Sequence, residues 1–456
     1  AILLHLRLES GRWQMIPAYV LAVLVSASSL PALRIRRWAQ GGSGSRRIFR
    51  VAGLAFGFVM ALAAAAVPVV FPVFEIPEPS GSYRVGVTWD AFSTQARGGV
   101  QGMSGRVISL QFWYPADPPR DAAAMAYMSR EASRALAYAW HLPWFVLDHL
   151  ALVQTHSRTH APPAAVASKW PVVLVAWSGL MTGCCALAEE LASRGYVVAA
   201  VGNGDPSWSP FVFDKCGRVL ALAQGKRYAA GLRRELESAG VGQIKDTLLQ
   251  TQSPRERLTL MQELNRRRPL DVADVKRCAA EMSLVIDRLH ELNRLGFLSA
   301  RLDLERVAVV GFSSGGAVAG QVCLKDARVK AGVNLDGFMT GDVIQAPLSR
   351  PFLFLHSETP ILPAYIDDRL FEGAAASAYL VKIRGARHTN FGDLPLWGFF
   401  VSSRLGSIQG ARCVRVVNTC VRAFLDKHLK GIDAPLFASP AADYPELEIR
   451  SGRRSG

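Results

Sequence analysis

The sequence predicts an α/β fold, with a mostly parallel, doubly wound sheet, helical insertions and two preceding transmembrane helices. Short β-branched runs alternate with helical stretches through the second half of the chain, which is typical of strands that pair in parallel. Several runs end in a polar or glycine-rich loop, and two long uncharged stretches precede the first strand. We therefore expect residues 1–75 to form a membrane anchor and residues 76–456 to form the α/β domain.

The two uncharged stretches are each long enough to cross a bilayer. They cover about residues 13–33 and 51–74, and roughly 20 apolar residues span the hydrocarbon core. Pro68 and Pro72 do not exclude a span, because helix breakers are tolerated in membrane helices. The linker has no acidic residue and carries the following arginines: Arg34, Arg36, Arg37, Arg46, Arg47, Arg50. By the positive-inside rule this linker is cytoplasmic, so everything after Phe74 is expected outside the inner membrane of a bacterium.

The elements after the anchor follow from periodicity. The runs Val85 to Trp89 and Val107 to Tyr114 predict a β-hairpin that begins the sheet. An amphipathic, aromatic stretch over 122–153 carries Trp140, Trp144 and Phe145 and is expected near the entrance to the site, and a polar helical insertion covers 217–268. The segment Asp271 to Leu292 repeats apolar residues on one face, which predicts a long helix packed on the sheet.

Residues 306–316 contain the most informative pattern in the chain. The β-branched run Val307 to Val310 leads into a Gly-x-Ser-x-Gly motif over 311–315, and a small-residue helical stretch follows. A strand, a sharp turn and a helix are the context in which such a motif presents an activated serine. Ser313 is therefore the predicted nucleophile, and the Ser314 amide at the helix start is a predicted oxyanion donor.

A second oxyanion donor is expected from the loop after an earlier central strand. Pro171 to Trp177 has the composition of that strand, and Ser178 to Gly183 forms its loop. A helix over Cys185 to Ser193 and a strand from Tyr196 to Val201 follow. The Leu180 amide is the predicted donor.

A serine nucleophile needs a histidine as general base, and three histidines follow Ser313. His356 ends an apolar run and is expected in a buried strand. His428 lies in a helical pattern that indicates a surface position. His388 lies in a loop rich in turn formers, directly after a predicted strand. His388 is therefore the predicted general base.

The acid that orients the histidine is less tightly specified by the residues. Asp336 follows the predicted strand Val329 to Leu335, and Glu358 ends the next one. A carboxylate at the carboxyl end of either strand can reach a neighbouring loop. Position favours Asp336, with Glu358 as the rival, whereas Asp367 and Asp368 lie farther from any predicted strand end.

Several segments together resemble the plasma-type (isoform II) platelet-activating factor acetylhydrolases, which have an α/β-hydrolase fold. The resemblance spans about residues 76–435 and rests on segments in matching order: Pro77 to Gly86, Trp170 to Val201, Asp271 to Gly316, Ala331 to Met339, Arg384 to Asp393. It implies a serine esterase in which Asp336 is the acid of the triad. It also implies that the amides of Leu180 and Ser314 bind the oxyanion.

The chain departs from that family at the walls of the acyl site. Phe312 precedes the predicted nucleophile, at a position where the family usually has His. In the oxyanion loop, Trp177-Ser-Gly replaces the family's Ser-His-Gly. Neither change removes a triad atom or a backbone donor. Trp177 and Phe312 are therefore predicted to contact substrate, and their bulk favours short acyl chains.

Charge and cysteine content set the remaining expectations. The net charge is +15, but the linker arginines account for part of it, and no nucleic-acid-binding motif accompanies the other basic clusters. We expect no nucleic-acid partner. The seven cysteines include no Cys-x-x-Cys, which argues against zinc, and His156 and His160 have no nearby acid. Neither a metal nor an organic cofactor is predicted.

The expected function is therefore hydrolysis of short-chain esters by an extracytoplasmic domain. Phospholipids with a short or oxidised acyl chain are among the candidate substrates. The same triad could serve polyester cleavage or acyl transfer. A non-catalytic binding module on the membrane is the alternative from another class.

Overall fold

The computed structural model describes the chain as two compact units. The residues described are 2–8, 11–29, 43–94, 107–165, 169–177, 181–202, 211–213, 219–222, 234–235, 237–251, 253–359, 370–374, 376–438 and 443–452. The first unit consists of Ala1–Phe74, Met128–Val153 and Trp397–Ser403. The second unit consists of Glu75–Tyr127, Gln154–Leu396 and Arg404–Gly456.

The second unit contains an 11-stranded sheet. Its strands, in chain order, are β1 Arg84–Ser93, β2 Val107–Ala116, β3 Ala124–Ala126, β4 Gln154–Thr159, β5 Trp170–Trp177, β6 Val197–Gly202, β9 Leu302–Phe312, β10 Val329–Leu335, β11 Phe352–Thr359, β12 Ala378–Arg387 and β13 Leu447–Ser451. Two short strands, β7 Phe211–Phe213 and β8 Val219–Leu222, form a separate antiparallel ribbon.

The strand order is β13-β12-β11-β10-β9-β5-β6-β2-β1-β4-β3. The six strands from β12 to β6 are mutually parallel, and β2 joins β6 in the antiparallel sense. The predicted mostly parallel α/β sheet is therefore confirmed, as is the antiparallel pairing of the first two strands. Their β-branched and apolar residues are buried because helices cover both faces of such a sheet.

Helices of the second unit connect and cover these strands. They are α5 Cys185–Ser193, α6 Ala239–Gln250, α7 Pro254–Arg266, α8 Pro269–Leu295, α9 Ser314–Lys325 and α10 Gly410–Leu425. The helix predicted over 271–292 is α8, and its repeating apolar side chains are buried in the core.

The register of the central strands brings their carboxyl ends to the same level of the sheet. Phe312 at the end of β9 pairs with Trp177 of β5 on one side and with Leu335 of β10 on the other. Leu335 pairs in turn with Leu355 of β11. Residues that follow these positions leave the sheet side by side at its carboxyl edge, where parallel sheets hold ligands.

Among its described residues, the first unit contains the α-helices α1 Ile2–Leu8, α2 Ile16–Ser29, α3 Ser43–Val70 and α4 Arg130–Ala139. Within α3, residues Val51–Val70 are long and apolar enough to cross a membrane, and none of that stretch is buried. The span predicted over about 13–33 corresponds to a shorter apolar helix, Trp13–Ala27, and residues 30–42 lie outside the described part. One helix of spanning length is therefore found among the described residues, and a second span is not confirmed.

Candidate active site

The predicted nucleophile lies on a strained turn between β9 and α9. Ser313 has φ of 57° and ψ of −128°, a conformation that costs a non-glycine residue free energy. The Ser313 amide donates a hydrogen bond to the Leu335 carbonyl of β10 at 3.0 Å, which fixes the turn to the neighbouring strand. The strain is a property of this motif, because the turn must lift the hydroxyl clear of the sheet.

Glycines of the motif allow the turn to close. A Cβ atom at Gly311 would overlap the Gly315 carbonyl oxygen, and one at Gly315 would overlap the Ala176 carbonyl oxygen of β5. Only glycine therefore permits this approach of strand and helix.

The structure brings three predicted side chains together in one relay. His388 Nε2 lies 3.1 Å from Ser313 Oγ, and His388 Nδ1 lies 2.8 Å from Asp336 Oδ2. His388 follows β12 directly, in the short 3-10 helix His388–Asn390, and its side chain is 17% exposed. The contact with Asp336 places the Nδ1 proton toward the carboxylate, which leaves Nε2 to accept a proton from the serine.

Asp336 is held rigidly at the end of β10. Its φ of 51° is left-handed, and its amide donates to the Leu355 carbonyl at 2.8 Å. The Ser357 amide donates to Oδ1 at 2.8 Å, and the Ser357 hydroxyl donates to Oδ2 at 3.0 Å. Burial alone would raise the pKa of Asp336, but the nearby His356 ring and the hydrogen bonds from His388 and Ser357 outweigh it and hold the pKa well below its usual range. The carboxyl group is therefore ionised at neutral pH.

The rival residues lie elsewhere. Glu358 is exposed at the end of β11, where its carboxylate accepts a hydrogen bond from the Gly385 amide at 2.9 Å. His356 is buried in β11, as predicted, with Nδ1 3.7 Å from Asp336 Oδ1. The predicted surface position of His428 is wrong: the ring is half-buried against Tyr379 and Phe424, and burial lowers its pKa to about 4. Asp367 and Asp368 lie outside the described residues.

The oxyanion and substrate positions are described only in part. Ser314 is the first residue of α9, where helix amides lack partners within the helix. Leu180 lies outside the described residues, as does the side chain of Trp177, which ends β5. The Phe312 ring stacks on His388, with ring centroids 4.8 Å apart and planes inclined by 25°. Phe312 therefore supports one face of the imidazole, a contact that the sequence did not indicate.

Asp393 is a further residue that sequence reasoning missed. It is buried, its amide donates to the Gly183 carbonyl at 2.9 Å, and its carboxylate accepts from the Cys185 amide at 2.7 Å and the Ala186 amide at 3.2 Å. These bonds join the histidine segment to the start of α5, directly after the predicted oxyanion loop. Its place in the His-x-x-x-x-Asp spacing after His388 was the available signal.

Burial raises the pKa of Asp393 from 3.8 to about 7, outweighing the amide hydrogen bonds that lower it. Because the folded pKa is raised, the stability that Asp393 contributes is fully present below about pH 4 and is lost as pH rises to about 7. We expect the unfolding free energy of the wild type, relative to Asp393→Asn, to fall by a few kcal/mol over this range, at about 1.4 kcal/mol per pKa unit. Urea unfolding of the full chain in detergent at pH 4 to 8 measures this difference. The exposed Asp433→Asn is the control, and a difference constant across this pH range would contradict the assignment.

Metal and cysteine chemistry have no support in the described part of the chain. No group of three or more potential metal ligands occurs among the described residues. His156 contacts the Ile76 carbonyl at 2.9 Å, and His160 contacts Thr88 Oγ1 at 2.9 Å. The cysteines described are buried free thiols: Cys184, Cys185, Cys278, Cys323, Cys413, Cys420.

Comparisons with known proteins identify a family and similar folds. The family described as "Platelet-activating factor acetylhydrolase, isoform II" matches residues 69–434. The platelet-activating factor acetylhydrolase of Canis lupus familiaris is 24% identical over 376 residues, covering 78% of this chain and 77% of that protein. The enzyme of Bos taurus is 24% identical over 388 residues, with the same coverage of 78% and 77%. Among solved structures, a ferulic acid esterase from Streptomyces cinnamoneus superposes with a TM-score of 0.63 at 26% identity, covering 82% of this chain and 99% of that one.

Proposed function

We propose that this chain, which belongs to the family of isoform II platelet-activating factor acetylhydrolases and is a carboxylic ester hydrolase, cleaves short-chain esters by a Ser-His-Asp mechanism. The observation that carries the proposal is the continuous relay from Ser313 Oγ through His388 to Asp336, with both distances in hydrogen-bond range.

In this mechanism His388 Nε2 removes the proton from Ser313 Oγ as the oxygen attacks the ester carbonyl. The proton is then delivered to the leaving alcohol, and an acyl group remains on Ser313. Water repeats the sequence and releases the acid. Asp336 stays ionised and stabilises the imidazolium that forms on His388, because its pKa is held low.

The tetrahedral intermediate carries an oxyanion that needs two donors. The Ser314 amide at the start of α9 is one, and the helix dipole adds to its effect. The Leu180 amide, predicted from the loop after β5, is the second. Removing one such donor typically costs about 10²–10³ in kcat.

The preferred substrates are esters of short acyl chains. The relatives are named as acetylhydrolases of platelet-activating factor, so glycerophospholipids with a short or oxidised acyl chain are candidates for this chain. Phe312 lies against His388 and occupies space that a less bulky residue would leave open. Trp177 is proposed from its place in the sequence as a second bulky residue of the acyl site.

We expect kcat/KM to fall from C2–C4 to C16 p-nitrophenyl esters. Phe312→Ala should raise the ratio of kcat/KM for C10 over C4, because it removes bulk beside the acyl group. The ratio cancels any loss from poorer support of His388. Leu295→Ala is the control, since it removes an exposed apolar side chain at the end of α8. Leu295 precedes the amino end of β9, whereas the candidate site lies at the carboxyl end of that strand. A wild type that prefers C16 would contradict the substrate proposal.

The apolar stretch Val51–Val70 is proposed to anchor the enzyme in the bacterial inner membrane, with residues 75–456 outside. Its basic flank, with Arg46, Arg47 and Arg50, then lies in the cytoplasm. A periplasmically active reporter fused after Phe74 should be active. Activity only of a cytoplasm-specific reporter at that position would overturn the orientation.

A further inference from the structure

Asp393 is a buried, titratable residue that the proposed mechanism does not use. It follows His388 in the same segment and is 1% exposed. Its carboxylate accepts two backbone hydrogen bonds, from the Cys185 amide at 2.7 Å and from the Ala186 amide at 3.2 Å. Its own amide donates to the Gly183 carbonyl at 2.9 Å. One residue therefore makes three bonds to a single short segment in a distant part of the chain.

These bonds take the place of a local cap on helix α5. The first amides of a helix have no partner within it, and a Ser, Thr, Asp or Asn side chain at the preceding position usually accepts from them. Cys184 occupies that position here, and a thiol is a weak acceptor. The Asp393 carboxylate caps the helix from another part of the chain, and its negative charge suits the positive end of the helix dipole. The start of α5 therefore depends on Asp393.

The start of α5 is continuous with the predicted oxyanion loop. The 3-10 helix Met181–Cys184, which contains Gly183, leads directly into α5. Leu180, whose amide is the proposed second oxyanion donor, is the residue before this 3-10 helix. The bonds to Asp393 therefore fix the backbone that follows the donor. An oxyanion donor must be placed accurately, because it accelerates the reaction only if it lies where negative charge develops in the transition state.

The histidine segment has supports of its own. Asn390 Oδ1 accepts hydrogen bonds from the Arg387 amide at 2.9 Å and from the Gly406 amide at 2.7 Å. Arg387 and Asn390 lie on either side of His388 in the sequence, so these bonds hold the backbone around the general base. Because the base is secured in this way, loss of the Asp393 side chain should affect the oxyanion side of the site and leave His388 in place.

Burial makes this carboxylate a costly way to cap a helix. Burial raises the pKa of Asp393 to about 7, although the two amide hydrogen bonds lower it. The ionised form, which best fits two amide donors, therefore costs folding free energy at neutral and higher pH. Residues kept at a cost in stability are typical of functional sites, where stability is given up for activity.

We propose that Asp393 is a positioning residue for the oxyanion hole, because it holds the start of α5 and the end of the oxyanion loop in a fixed place relative to His388. The inference rests on the proposed esterase function, in which that loop supplies one donor. Asp393 acts through Gly183, Cys185 and Ala186 and does not touch the substrate. Its loss should therefore weaken stabilisation of the oxyanion and leave proton transfer by the general base intact.

The test compares an ester with its thionoester, in which sulfur replaces the carbonyl oxygen. Sulfur is a weak hydrogen-bond acceptor, so a thionoester gains little from the oxyanion donors, whereas attack by Ser313 and proton transfer by His388 serve both compounds. The full chain in detergent at pH 8 is assayed on p-nitrophenyl butyrate and on O-p-nitrophenyl thionobutyrate. The ratio of the two kcat/KM values reports on the oxyanion donors and does not depend on how much of a preparation is folded.

Asp393→Ala should lower the ester-to-thionoester ratio by about tenfold, because misplaced donors slow the ester far more than the thionoester. Asp393→Asn should give an intermediate ratio, since its side-chain oxygen can still accept one of the two amide bonds. Glu190→Gln is the matched control. Glu190 is another buried carboxylate, within the body of α5, and it accepts a hydrogen bond from the Ser80 amide at 2.8 Å. Its ratio should match that of the wild type.

Two outcomes with an active wild type would overturn the inference. An unchanged ratio in Asp393→Ala, even with both rates reduced, would show that Asp393 supports only the fold. An equal fall of the ratio in Glu190→Gln would show that any disturbance of α5 has the same effect. A wild type that hydrolyses neither compound would instead refute the proposed esterase function, and this inference with it.

Discussion

Ser313→Ala should abolish ester hydrolysis, with kcat reduced by roughly 10⁶, the loss typical for removal of a serine nucleophile. The substitution removes only the side-chain hydroxyl, whose oxygen Oγ lies 3.1 Å from His388 Nε2. The turn should survive, because its geometry depends on the flanking glycines and on the Ser313 amide bonded to Leu335. Initial rates on p-nitrophenyl butyrate measure the loss.

The control for this variant is Ser299→Ala, which removes an exposed hydroxyl bonded to the Arg294 carbonyl at 3.1 Å. Its activity should match the wild type. A Ser313→Ala enzyme that keeps more than about a hundredth of the wild-type kcat would show that another residue attacks the ester, because residual catalysis without a nucleophile is far smaller.

Asp336→Asn should lower kcat by roughly 10⁴. An amide at this position cannot hold the proton on His388 Nδ1, so the ring adopts the tautomer that cannot accept from Ser313. The same change also removes the negative charge that stabilises the imidazolium. The loss should appear in kcat with little change in KM, because Asp336 does not contact substrate in the proposed mechanism.

Glu358→Gln is the matched control for the acid. It changes the rival carboxylate, which accepts from the Gly385 amide in an exposed position. We expect its kcat to stay within a few-fold of the wild type. A large loss in Glu358→Gln together with an active Asp336→Asn would move the acid one strand along and contradict the relay.

The strained turn at Ser313 is predictable from sequence because the residues that determine its backbone conformation are neighbours in the chain. A β-branched strand, closely packed glycines and a small-residue helix are all within about a dozen consecutive residues. The backbone could therefore be inferred from steric rules alone, and Ser313 indeed has the strained φ that the motif requires. The long helix and the central strands were predictable for the same reason, since the spacing of their apolar and β-branched residues can be read from consecutive positions.

The acid could not be chosen from position alone, because the choice depends on tertiary detail. Asp336 turns toward His388 through a left-handed backbone and two hydrogen bonds from Ser357, a residue of the next strand. Successive side chains of a strand point to opposite faces, so Glu358, which follows the buried Ser357, is exposed. The sequence shows both carboxylates at strand ends but not which way each one points.

Burial of polar groups was also beyond the sequence. Asp393 looks like an ordinary loop residue until the fold encloses it against the start of α5.

The aromatic residues of the 122–153 segment were expected near the entrance to the site. In the structure Phe145 packs on Trp13 and Trp140 packs on Trp397, all within the first unit. Such contacts join residues more than a hundred positions apart, and no local pattern encodes them.

The site of covalent labelling by a fluorophosphonate identifies the nucleophile directly. The full chain is labelled in detergent, digested and mapped by mass spectrometry, with Ser313→Ala and Asp336→Asn labelled in parallel. We predict a single adduct on Ser313, no adduct in Ser313→Ala, and much slower labelling in Asp336→Asn. An adduct on any other residue of the wild type, or labelling that persists in Ser313→Ala, would contradict the assignment of Ser313 as the nucleophile.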